Sequence, residues 1–359
     1  MNFTEKERPT DLWQSLRQSR KTVVMYGMGN GADKILSVCE AYGIPVADFF
    51  ASDGFVRGHS FHGKTVLSYS AVKEKYGAEN LIVLLSFASS RPEVLSTIRH
   101  VASECELYAP DVPVCGDTLF TAEFYRENRE AIDQARELLC DEESRRIYDR
   151  VIAYKLSGDI SHLFEAESDR DEVYRLMDAS SIRSAADLGA YNGDTVRELM
   201  SYAPSLEQVV AFEPDRRNYR KLSEFCQTLS RPAVELRQAA AFSERTVLTF
   251  GDEGNRNSGL YAKGKSVQVE ALSLDEVLGG RSVDYIKYDV EGAEKEAIMG
   301  SAQTICEYRP RLLVSAYHKS EDLFALPLQL HALCPHYRFY YRRYPYIPAW
   351  DLNLIGVPE

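Results

Sequence analysis

Asp187-Leu-Gly-Ala-Tyr-Asn-Gly-Asp-Thr195 is the stretch of sequence that decides the fold. An apolar run at residues 185–188 leads into it, so that a predicted strand breaks into a glycine-bearing turn and then into a helix. Gly189 and Gly193 allow the backbone to pass close to a ligand with no Cβ atom in the way, and the helix start at Thr195 offers unpaired N–H donors. The pattern therefore predicts a turn that cradles a nucleotide.

An acidic side chain stands at the end of the next predicted strand. The apolar run at residues 209–212 ends in Glu213-Pro214-Asp215. A carboxylate presents acceptor oxygens to both donors of a ribose diol, and such charge-assisted hydrogen bonds are about twice as strong as neutral ones. The plainer explanation is an acid that only marks the entry to a helix. Because Glu213 ends a strand beside the first turn, we favour the ribose-binding role.

A third predicted strand, at residues 285–289, carries an acidic cluster at its carboxyl end. Acids at a helix start commonly satisfy free N–H groups and the helix dipole, and this explanation fits Glu294 best. Asp289 closes a buried strand, where burial beside other acids should raise its pKa and suit it to accept a proton. The alternative is that Asp289 and Glu291 hold Mg²⁺, but their spacing is unspecific, so no metal is predicted.

Two basic side chains are expected at the same edge of the sheet. His318 follows the predicted strand at residues 312–316, where a general base, a structural role and a substrate-orienting role all stay open. Lys287 precedes Asp289 by two residues and so shares its face of the strand. Its charge would lower the pKa of the neighbouring acids, against the upward effect of burial.

Five segments, taken in order, resemble the FkbM-like family of S-adenosylmethionine-dependent methyltransferases. They are Asp187-Leu-Gly-Ala-Tyr-Asn-Gly-Asp-Thr195, Phe212-Glu-Pro-Asp215, Ile286-Lys-Tyr-Asp-Val-Glu-Gly-Ala-Glu294, Ala316-Tyr-His-Lys319 with Glu321-Asp322-Leu323, and Asp351-Leu-Asn-Leu-Ile-Gly-Val-Pro358. Many methyltransferases have glycine where Tyr191 stands, and the FkbM-like pattern accepts a bulky residue there. The five segments lie within residues 187–358. The N-terminal part resembles accessory domains that precede the methyltransferase domain in some family members, and this resemblance assigns it no ligand.

The resemblance implies an α/β fold of the class I methyltransferase type, with a doubly wound, mixed sheet whose last strand is antiparallel. It implies S-adenosylmethionine as the cofactor and transfer of a methyl group to a hydroxyl oxygen of a sugar, a glycan or a secondary metabolite. Asp289 and His318 are the expected catalytic residues, with Glu291 and Lys287 beside them. The residues expected to line the cofactor are Asp187, Gly189, Ala190, Tyr191, Asn192, Gly193, Asp194, Thr195, Glu213, Pro214 and Asp289.

The pattern along the chain predicts three parts. Residues 1–120 alternate short apolar runs with amphipathic stretches, which predicts a small Rossmann-like α/β domain. Residues 121–180 contain no strand-like pattern, and their apolar positions recur at helical spacing, which predicts a helical connector. Residues 181–359 predict the methyltransferase domain.

Some elements are predicted in more detail. The connector is expected to contain long charged helices at residues 123–139 and 142–156. In the C-terminal domain, residues 234–241 are expected to form one parallel strand. The runs at residues 246–250 and 266–272 are expected to form an inserted hairpin.

A second glycine-bearing turn lies near the N-terminus. Gly27-x-Gly29-x-x-Ala32 follows a predicted strand and opens a helix, and Asp48 and Asp53 lie near the end of the next strand. The turn either forms a nucleotide or nucleotide-sugar pocket or only closes a small domain. The first case favours an alternative function, a Rossmann-type oxidoreductase or a sugar-nucleotide enzyme. A non-catalytic S-adenosylmethionine-binding protein is the other alternative.

Composition limits the partners of this protein. Of its 359 residues 45% are hydrophobic and 27% are charged, which is enough apolar material for buried cores. The net charge of −12 works against a nucleic-acid backbone as the main partner. Arg338, Arg342 and Arg343 lie among tyrosines, and exposed arginines on a late strand are the favoured explanation for them. The tyrosine-rich tail at residues 337–346 is either core packing or a stacking wall for a sugar.

We expect a cytoplasmic protein, because no apolar run has the length of a membrane span and the N-terminus lacks the apolar core of a secretory signal. The expected partner is a small-molecule or saccharide acceptor, with no nucleic acid and no membrane, and a homo-oligomer stays open. The seven cysteines include no Cys-x-x-Cys pair, which predicts reduced thiols without a disulfide framework or a zinc site.

Overall fold

A computed structural model describes residues 10–56, 58–252 and 265–359 of the chain. Its N-terminal part alternates strands and helices. The elements of this part are α1 (Leu12–Gln18), β1 (Thr22–Tyr26), α2 (Asn30–Tyr42), β2 (Val46–Ala51), β3 (Ser60–Phe61), β4 (Lys64–Thr65), β5 (Leu67–Ser68), α3 (Tyr69–Tyr76), β6 (Leu81–Leu85), α4 (Pro92–Glu104) and β7 (Glu106–Tyr108).

Five of these strands form a parallel sheet in the order β5-β2-β1-β6-β7. All of β6 is buried, as expected for a central parallel strand with a continuous apolar sequence. Strands β3 and β4 pair separately as a small antiparallel ribbon. The predicted Rossmann-like arrangement is therefore present in this part of the chain.

Helices follow: α5 (Ala122–Glu127), α6 (Arg129–Glu137), α7 (Glu142–Ser157), α8 (Ser161–Glu165) and α9 (Arg170–Leu176). The prediction of one helix over residues 123–139 is wrong. Asn128 interrupts it with a φ of −101° and a ψ of 10°, and its side-chain amide donates to the carbonyl oxygen of Phe124 at 2.9 Å. Among the described residues, no helix is long and apolar enough to cross a membrane.

The C-terminal part contains the larger sheet. Its elements are β8 (Ser184–Leu188), α10 (Asp194–Tyr202), β9 (Gln208–Phe212), α11 (Arg216–Cys226), β10 (Ala233–Arg237), β11 (Ala240–Ala241), β12 (Thr246–Asp252), β13 (Lys265–Leu272), α12 (Leu274–Leu278), β14 (Tyr285–Tyr288), α13 (Glu294–Met299), α14 (Ala302–Tyr308), β15 (Arg311–Ser315), α15 (Asp322–Leu333), β16 (Tyr337–Arg343) and β17 (Leu352–Pro358).

Seven of these strands form one sheet in the order β10-β9-β8-β14-β15-β17-β16. The first five strands in this order, β10, β9, β8, β14 and β15, are parallel to one another, and β17 runs antiparallel to both of its neighbours. The predicted mixed, doubly wound sheet with an antiparallel last strand is confirmed. Its strand order reverses between β8 and β14, which is the position at which such sheets open a ligand crevice.

The prediction of one strand over residues 234–241 is wrong. Strand β10 ends at Arg237, and Ala240 and Ala241 then pair with Ala271 and Leu272 of β13. The chain therefore leaves the edge of the large sheet to join a separate sheet in the order β11-β13-β12. Strands β12 and β13 form the predicted antiparallel hairpin, whose connection lies outside the described residues.

The two large sheets share one hydrophobic core. Buried side chains of β1, β6 and α7 belong to the same cluster as those of β8, β14 and β15. Tyr148 and Tyr154 of α7 are fully buried between the two parts, and Ser144 accepts a hydrogen bond from the backbone N–H of Tyr341 at 3.0 Å. A two-way backbone pairing joins Ser89 to Ile347 as well. The hydrophobic core is therefore continuous across the predicted domain boundaries.

Arg342 and Arg343 are buried, so the prediction of exposed arginines is wrong for these two positions. The guanidinium of Arg342 donates to Asp141 at 2.7 Å, to Glu172 at 2.8 Å and to Ser144 at 2.9 Å. Arg343 donates to backbone carbonyl oxygens of the connecting helices and of the loop after β16. A planar guanidinium with several donors can cross-link elements in this way. Together they fasten β16 to α7, α8 and α9.

Replacing Arg342 with methionine should destabilise the protein. The change leaves Asp141 and Glu172 without their cation, and breaking a buried ion pair costs about 3 kcal/mol or more. Both acids keep 33% of their side-chain surface exposed and can rehydrate. We therefore expect the free energy of unfolding, measured with urea, to fall by about 3 kcal/mol. The control is Arg338→Met, because Arg338 lies exposed on the same strand and should change stability by under about 0.5 kcal/mol. Equal losses would contradict this assignment.

Candidate functional site

The carboxyl ends of β8, β9 and β14 open on one cavity of about 340 Å³, a volume in the usual range of small-ligand sites. The three acidic strand ends singled out in the sequence therefore do meet. The cavity is lined by Ser90, Arg170, Gly189, Tyr191, Asp194, Thr195, Glu198, Glu213, Pro214, Asp215, Asn218, Ala240, Ala241, Lys287, Asp289, Val290, Glu291, Ala293, Tyr317, Tyr346 and Asp351.

Most of the predicted site residues border this cavity, but not all of them. Asp187 borders an adjoining cavity of about 90 Å³, which Lys287 and Asp289 also line. The predicted residues that border neither cavity are Ala190, Asn192, Gly193 and His318. Ala190 and His318 are buried behind the cavity wall.

The two glycines of the first turn serve the protein's own packing. Gly189 has a φ of +91°, and a Cβ atom there would overlap the carbonyl oxygen of Asp289. Gly193 has a φ of +88°, and a Cβ atom there would overlap the ring of Phe225. At both glycines the space that a Cβ atom would take is occupied by protein atoms, and Gly189 borders the cavity as well.

Thr195 does not offer an unpaired donor, contrary to the sequence argument. Its N–H donates to Oδ1 of Asp194 at 3.0 Å, and its hydroxyl donates to Oδ2 of Asp187. The other oxygen of Asp187 is buried and accepts no hydrogen bond from the described residues. Burial raises the pKa of Asp187, and the charge of Lys287, whose Nζ lies 3.7 Å away, partly opposes the rise.

Glu213 is held rigidly at the end of β9. The backbone N–H of Tyr191 donates to its Oε2, and that of Asp215 donates to its Oε1, each at 2.8 Å. Burial outweighs these two hydrogen bonds and raises the pKa of Glu213 to about 8. Each carboxylate oxygen has a second lone pair, so the group can still accept two hydrogen bonds from a molecule in the cavity.

Asp289 lies in an ion-pair network. Nζ of Lys287 is 3.2 Å from its Oδ2, and Nε2 of His318 is 3.5 Å from its Oδ1. Burial by itself would raise the pKa of Asp289, but the charges of Lys287 and His318 outweigh burial and hold the pKa below its usual value. The expected upward shift is wrong, because the sequence argument gave too little weight to these two cations.

His318 lies behind Asp289 and is 1% exposed. Its Nδ1 is 2.9 Å from Oε1 of Glu294, and its Nε2 is 3.6 Å from Oε2 of Glu291. Burial lowers the pKa of the imidazole, yet Glu294, Glu291 and Asp289 together raise it to about 10. Of the three roles left open by the sequence, this enclosed position favours an orienting or structural one.

Glu294 and Glu291 occupy different settings although they are close in sequence. Glu294 is 1% exposed and accepts the N–H of Val290 at 2.9 Å, in line with the expected backbone role, but it contacts His318 in addition. Glu291 has a φ of +53° and borders the cavity. Burial, together with the charges of Asp289 and Glu294, raises the pKa of Glu291 to about 7.

Several lining residues escaped the sequence argument. Glu198 lies three residues after Thr195 and Asn218 three after Asp215, so each lies on the cavity side of its helix one turn later. Helical spacing was therefore the pattern from which Glu198 and Asn218 could have been predicted to line the cavity. Ser90 comes from the loop after β6, and no local pattern connects it with the C-terminal sheet.

The N-terminal glycine turn is explained by close packing. A Cβ atom on Gly27 would lie 2.7 Å from the side chains of Ser86 and Phe87. Asp48 pairs with Lys75 at 2.8 Å, and Asp53 accepts hydrogen bonds from Ser70. These residues border neither of the two cavities described above. The proposal that the turn binds a nucleotide gains no support from the geometry.

The fold resembles that of a solved methyltransferase. Over 99% of this chain and 94% of the other, it matches methyltransferase FkbM from Methylobacillus flagellatus KT with a TM-score of 0.70 and 19% identity. A precorrin-6y C5,15-methyltransferase from Geobacter metallireducens GS-15 matches 54% of this chain and 94% of its own, with 11% identity and a TM-score of 0.34. No curated protein sequence matches the chain. The first likeness shows that the fold of both parts is shared.

The sequence family is consistent with this fold. Residues 187–346 match the family model described as Methyltransferase FkbM domain. That range begins at the turn after β8 and includes Glu213, Asp289 and His318, so it contains the strand ends that border the cavity. Residues 187–346 are therefore a methyltransferase FkbM domain, and the presence of this domain implies a methyltransferase.

Proposed function

We propose that this methyltransferase uses S-adenosylmethionine and transfers the methyl group to a hydroxyl oxygen of a sugar, a glycan or a secondary metabolite. The observation that carries the proposal is Glu213. Its carboxylate is fixed by two backbone N–H groups at the end of a central strand and has acceptor capacity left toward the cavity. A vicinal diol such as that of a ribose supplies the two donors that this arrangement can accept.

The residues around the cavity fit the charged end of the same cofactor. Seven acidic residues line the cavity, against the two cations Arg170 and Lys287; the acids are Asp194, Glu198, Glu213, Asp215, Asp289, Glu291 and Asp351. A low-dielectric cleft of one sign attracts ligands of the opposite charge. Asp187 adds a buried carboxylate oxygen that accepts no hydrogen bond from the described residues. An ammonium or a sulfonium group is thus favoured here.

When bound, S-adenosylmethionine supplies an electrophilic methyl group. The task of the chain is then to hold an acceptor oxygen in line with that carbon, to exclude water and to take up the proton that the hydroxyl loses. Asp289 is the best placed proton acceptor because it borders both cavities, whereas His318 borders neither. Lys287 and His318 fix the direction of the Asp289 carboxylate and act as positioning residues.

The acceptor side of the cavity suits a neutral sugar. Tyr317 and Tyr346 line it, and both rings pack near Trp350, with centroids 6.5 Å and 5.6 Å from it. Aromatic faces stack on the apolar faces of sugar rings, and the surplus of carboxylates disfavours a phosphorylated acceptor. Of the tyrosine-rich tail, Tyr346 alone lines this cavity, while Tyr337, Tyr341 and Tyr344 are buried in the core.

Removing the carboxylate of Glu213 should weaken cofactor binding. We expect S-adenosylhomocysteine to bind the wild-type protein saturably in calorimetric titration, and Glu213→Ala to bind it about 10- to 100-fold more weakly, since two hydrogen bonds to a charged group are lost. Glu207→Ala, at an exposed position before β9, is the matched control and should bind normally. Binding of NAD instead would contradict the proposal and favour the oxidoreductase alternative.

The affinity for S-adenosylhomocysteine should rise with pH. A diol donates to the charged carboxylate, and the pKa of Glu213 is about 8, so binding must release a proton below that pH. The dissociation constant should fall about tenfold from pH 7 to pH 9 and level off above it. In Glu213→Gln the amide does not titrate, so this part of the pH dependence should vanish. An unchanged pH profile in the variant would refute the assignment.

Methyl transfer should go to oxygen and depend on Asp289. With ¹³C-methyl-labelled S-adenosylmethionine and a panel of neutral methyl glycosides, we expect O–¹³CH₃ signals in NMR spectra of the products. Asp289→Asn should lower the rate about 100- to 10,000-fold through loss of the proton acceptor. Asp284→Asn, before the same strand, is the matched control, because Asp284 borders neither cavity. Methylation of nitrogen or carbon, or an active Asp289→Asn, would contradict the proposal.

A further inference from the structure

We infer that Asp289, Glu294 and His318 form a binding site for a divalent first-row transition-metal ion, with Glu291 within reach of the same ion. Each of the three can offer one donor atom, and these atoms lie within 4.8 Å of one another. The site lies behind the carboxyl end of β14. Its existence does not depend on the proposed cofactor or acceptor.

The distances suit a coordination sphere. Ligands bound at about 2.1 Å from one ion lie roughly 3 to 4 Å apart. Nε2 of His318 is 3.5 Å from Oδ1 of Asp289 and 3.6 Å from Oε2 of Glu291, which is too long for hydrogen bonds. Both separations match those of two ligands on one ion, and the donor atoms that Asp289, Glu294 and His318 offer lie within 4.8 Å of one another.

Buried polar atoms at this position lack partners. Nε2 of His318 and Oε2 of Glu294 are buried and form no hydrogen bond with any of the described residues, whereas Nδ1 of His318 lies 2.9 Å from Oε1 of Glu294. His318 and Glu294 are each 1% exposed, so water has little access to either. Buried polar atoms without partners are rare, and a bound ion is one of the few explanations for several of them together.

Four carboxyl groups and two lysines act on the surroundings of His318. Asp289, Glu291 and Glu294 surround the imidazole, and the buried carboxyl of Asp322 also acts on it. Lys287 faces this group from β14 and Lys319 from the loop after β15. A divalent ion that displaced the imidazole proton of His318 into solvent would supply two positive charges at one point among these carboxyl groups.

The donor set selects the kind of ion. Mg²⁺ and Ca²⁺ prefer shells made entirely of oxygen atoms, whereas an imidazole nitrogen beside carboxylates suits Mn²⁺, Fe²⁺, Co²⁺ or Zn²⁺. The Mg²⁺ pair of Asp289 and Glu291 considered from the sequence lacked this nitrogen. Because Asp289 and Glu291 also border the cavity, the ion would lie in its wall and could polarise an oxygen of a molecule bound there.

Metal titration of the full-length protein tests the inference. After removal of metals with a chelator, Mn²⁺ uptake is followed by the EPR signal of the free ion, and Co²⁺ and Zn²⁺ by calorimetry. We expect one equivalent to bind, with Mg²⁺ at least about tenfold weaker. His318→Gln and Glu294→Gln should each weaken binding about 10- to 100-fold. Glu198→Gln, on the same cavity but outside the cluster, should bind metal normally.

Wild-type affinity in His318→Gln, or no saturable uptake of any ion by the wild-type protein, would overturn the inference. Circular dichroism checks that the variants fold. If His318→Gln does not fold, the wild-type protein with Co²⁺ decides the matter by proton NMR. A hyperfine-shifted, exchangeable imidazole resonance supports ligation by histidine, and bound Co²⁺ without such a resonance refutes it. Neither readout uses methyl transfer, so failure of the proposed function would leave the result intact.

Discussion

The close contact between the turn after β8 and the end of β14 is the constraint on which the site depends. Gly189 lies against the carbonyl oxygen of Asp289 with no room for a side chain between them. Two parallel strands can approach in this way only if one of them continues through a residue without Cβ and with positive φ. The contact fixes Asp289 beside Asp187, and it aligns Lys287 between the two carboxylates.

Lys287 adds an electrostatic constraint to this backbone contact. Its ammonium group is buried with Asp187 on one side and Asp289 on the other, so neither acid can move without exposing an unbalanced charge. Glu213 lies across the cavity, and within the part of the chain that the structure describes its hydrogen bonds come from two backbone N–H groups and from no cation. One cavity therefore contains carboxyl groups whose pKa values are shifted in opposite directions.

The meeting of three acidic strand ends could be predicted, because each strand end is marked by a pattern within a short segment. Residues 185–188 and Glu213 show this well. The charge state of Asp289 could not be predicted, because it depends on His318, which is distant in sequence and fully enclosed in the fold. The departure of the chain from the sheet after Arg237 could not be predicted for a similar reason, because Ala240 pairs with a strand that comes later in the sequence.

The N-terminal part is in contact with the methyltransferase site itself. Cys115 donates to the carbonyl oxygen of Glu291 through its thiol and to that of His318 through its N–H. Ser90 lines the cavity beside the Ser89–Ile347 pairing. Grafting the N-terminal part of a relative onto this C-terminal half would thus alter one wall of the cavity and the support behind His318 in a single step. In such chimeras, a change in ligand preference would arise without any substitution in the strands that hold Glu213 and Asp289.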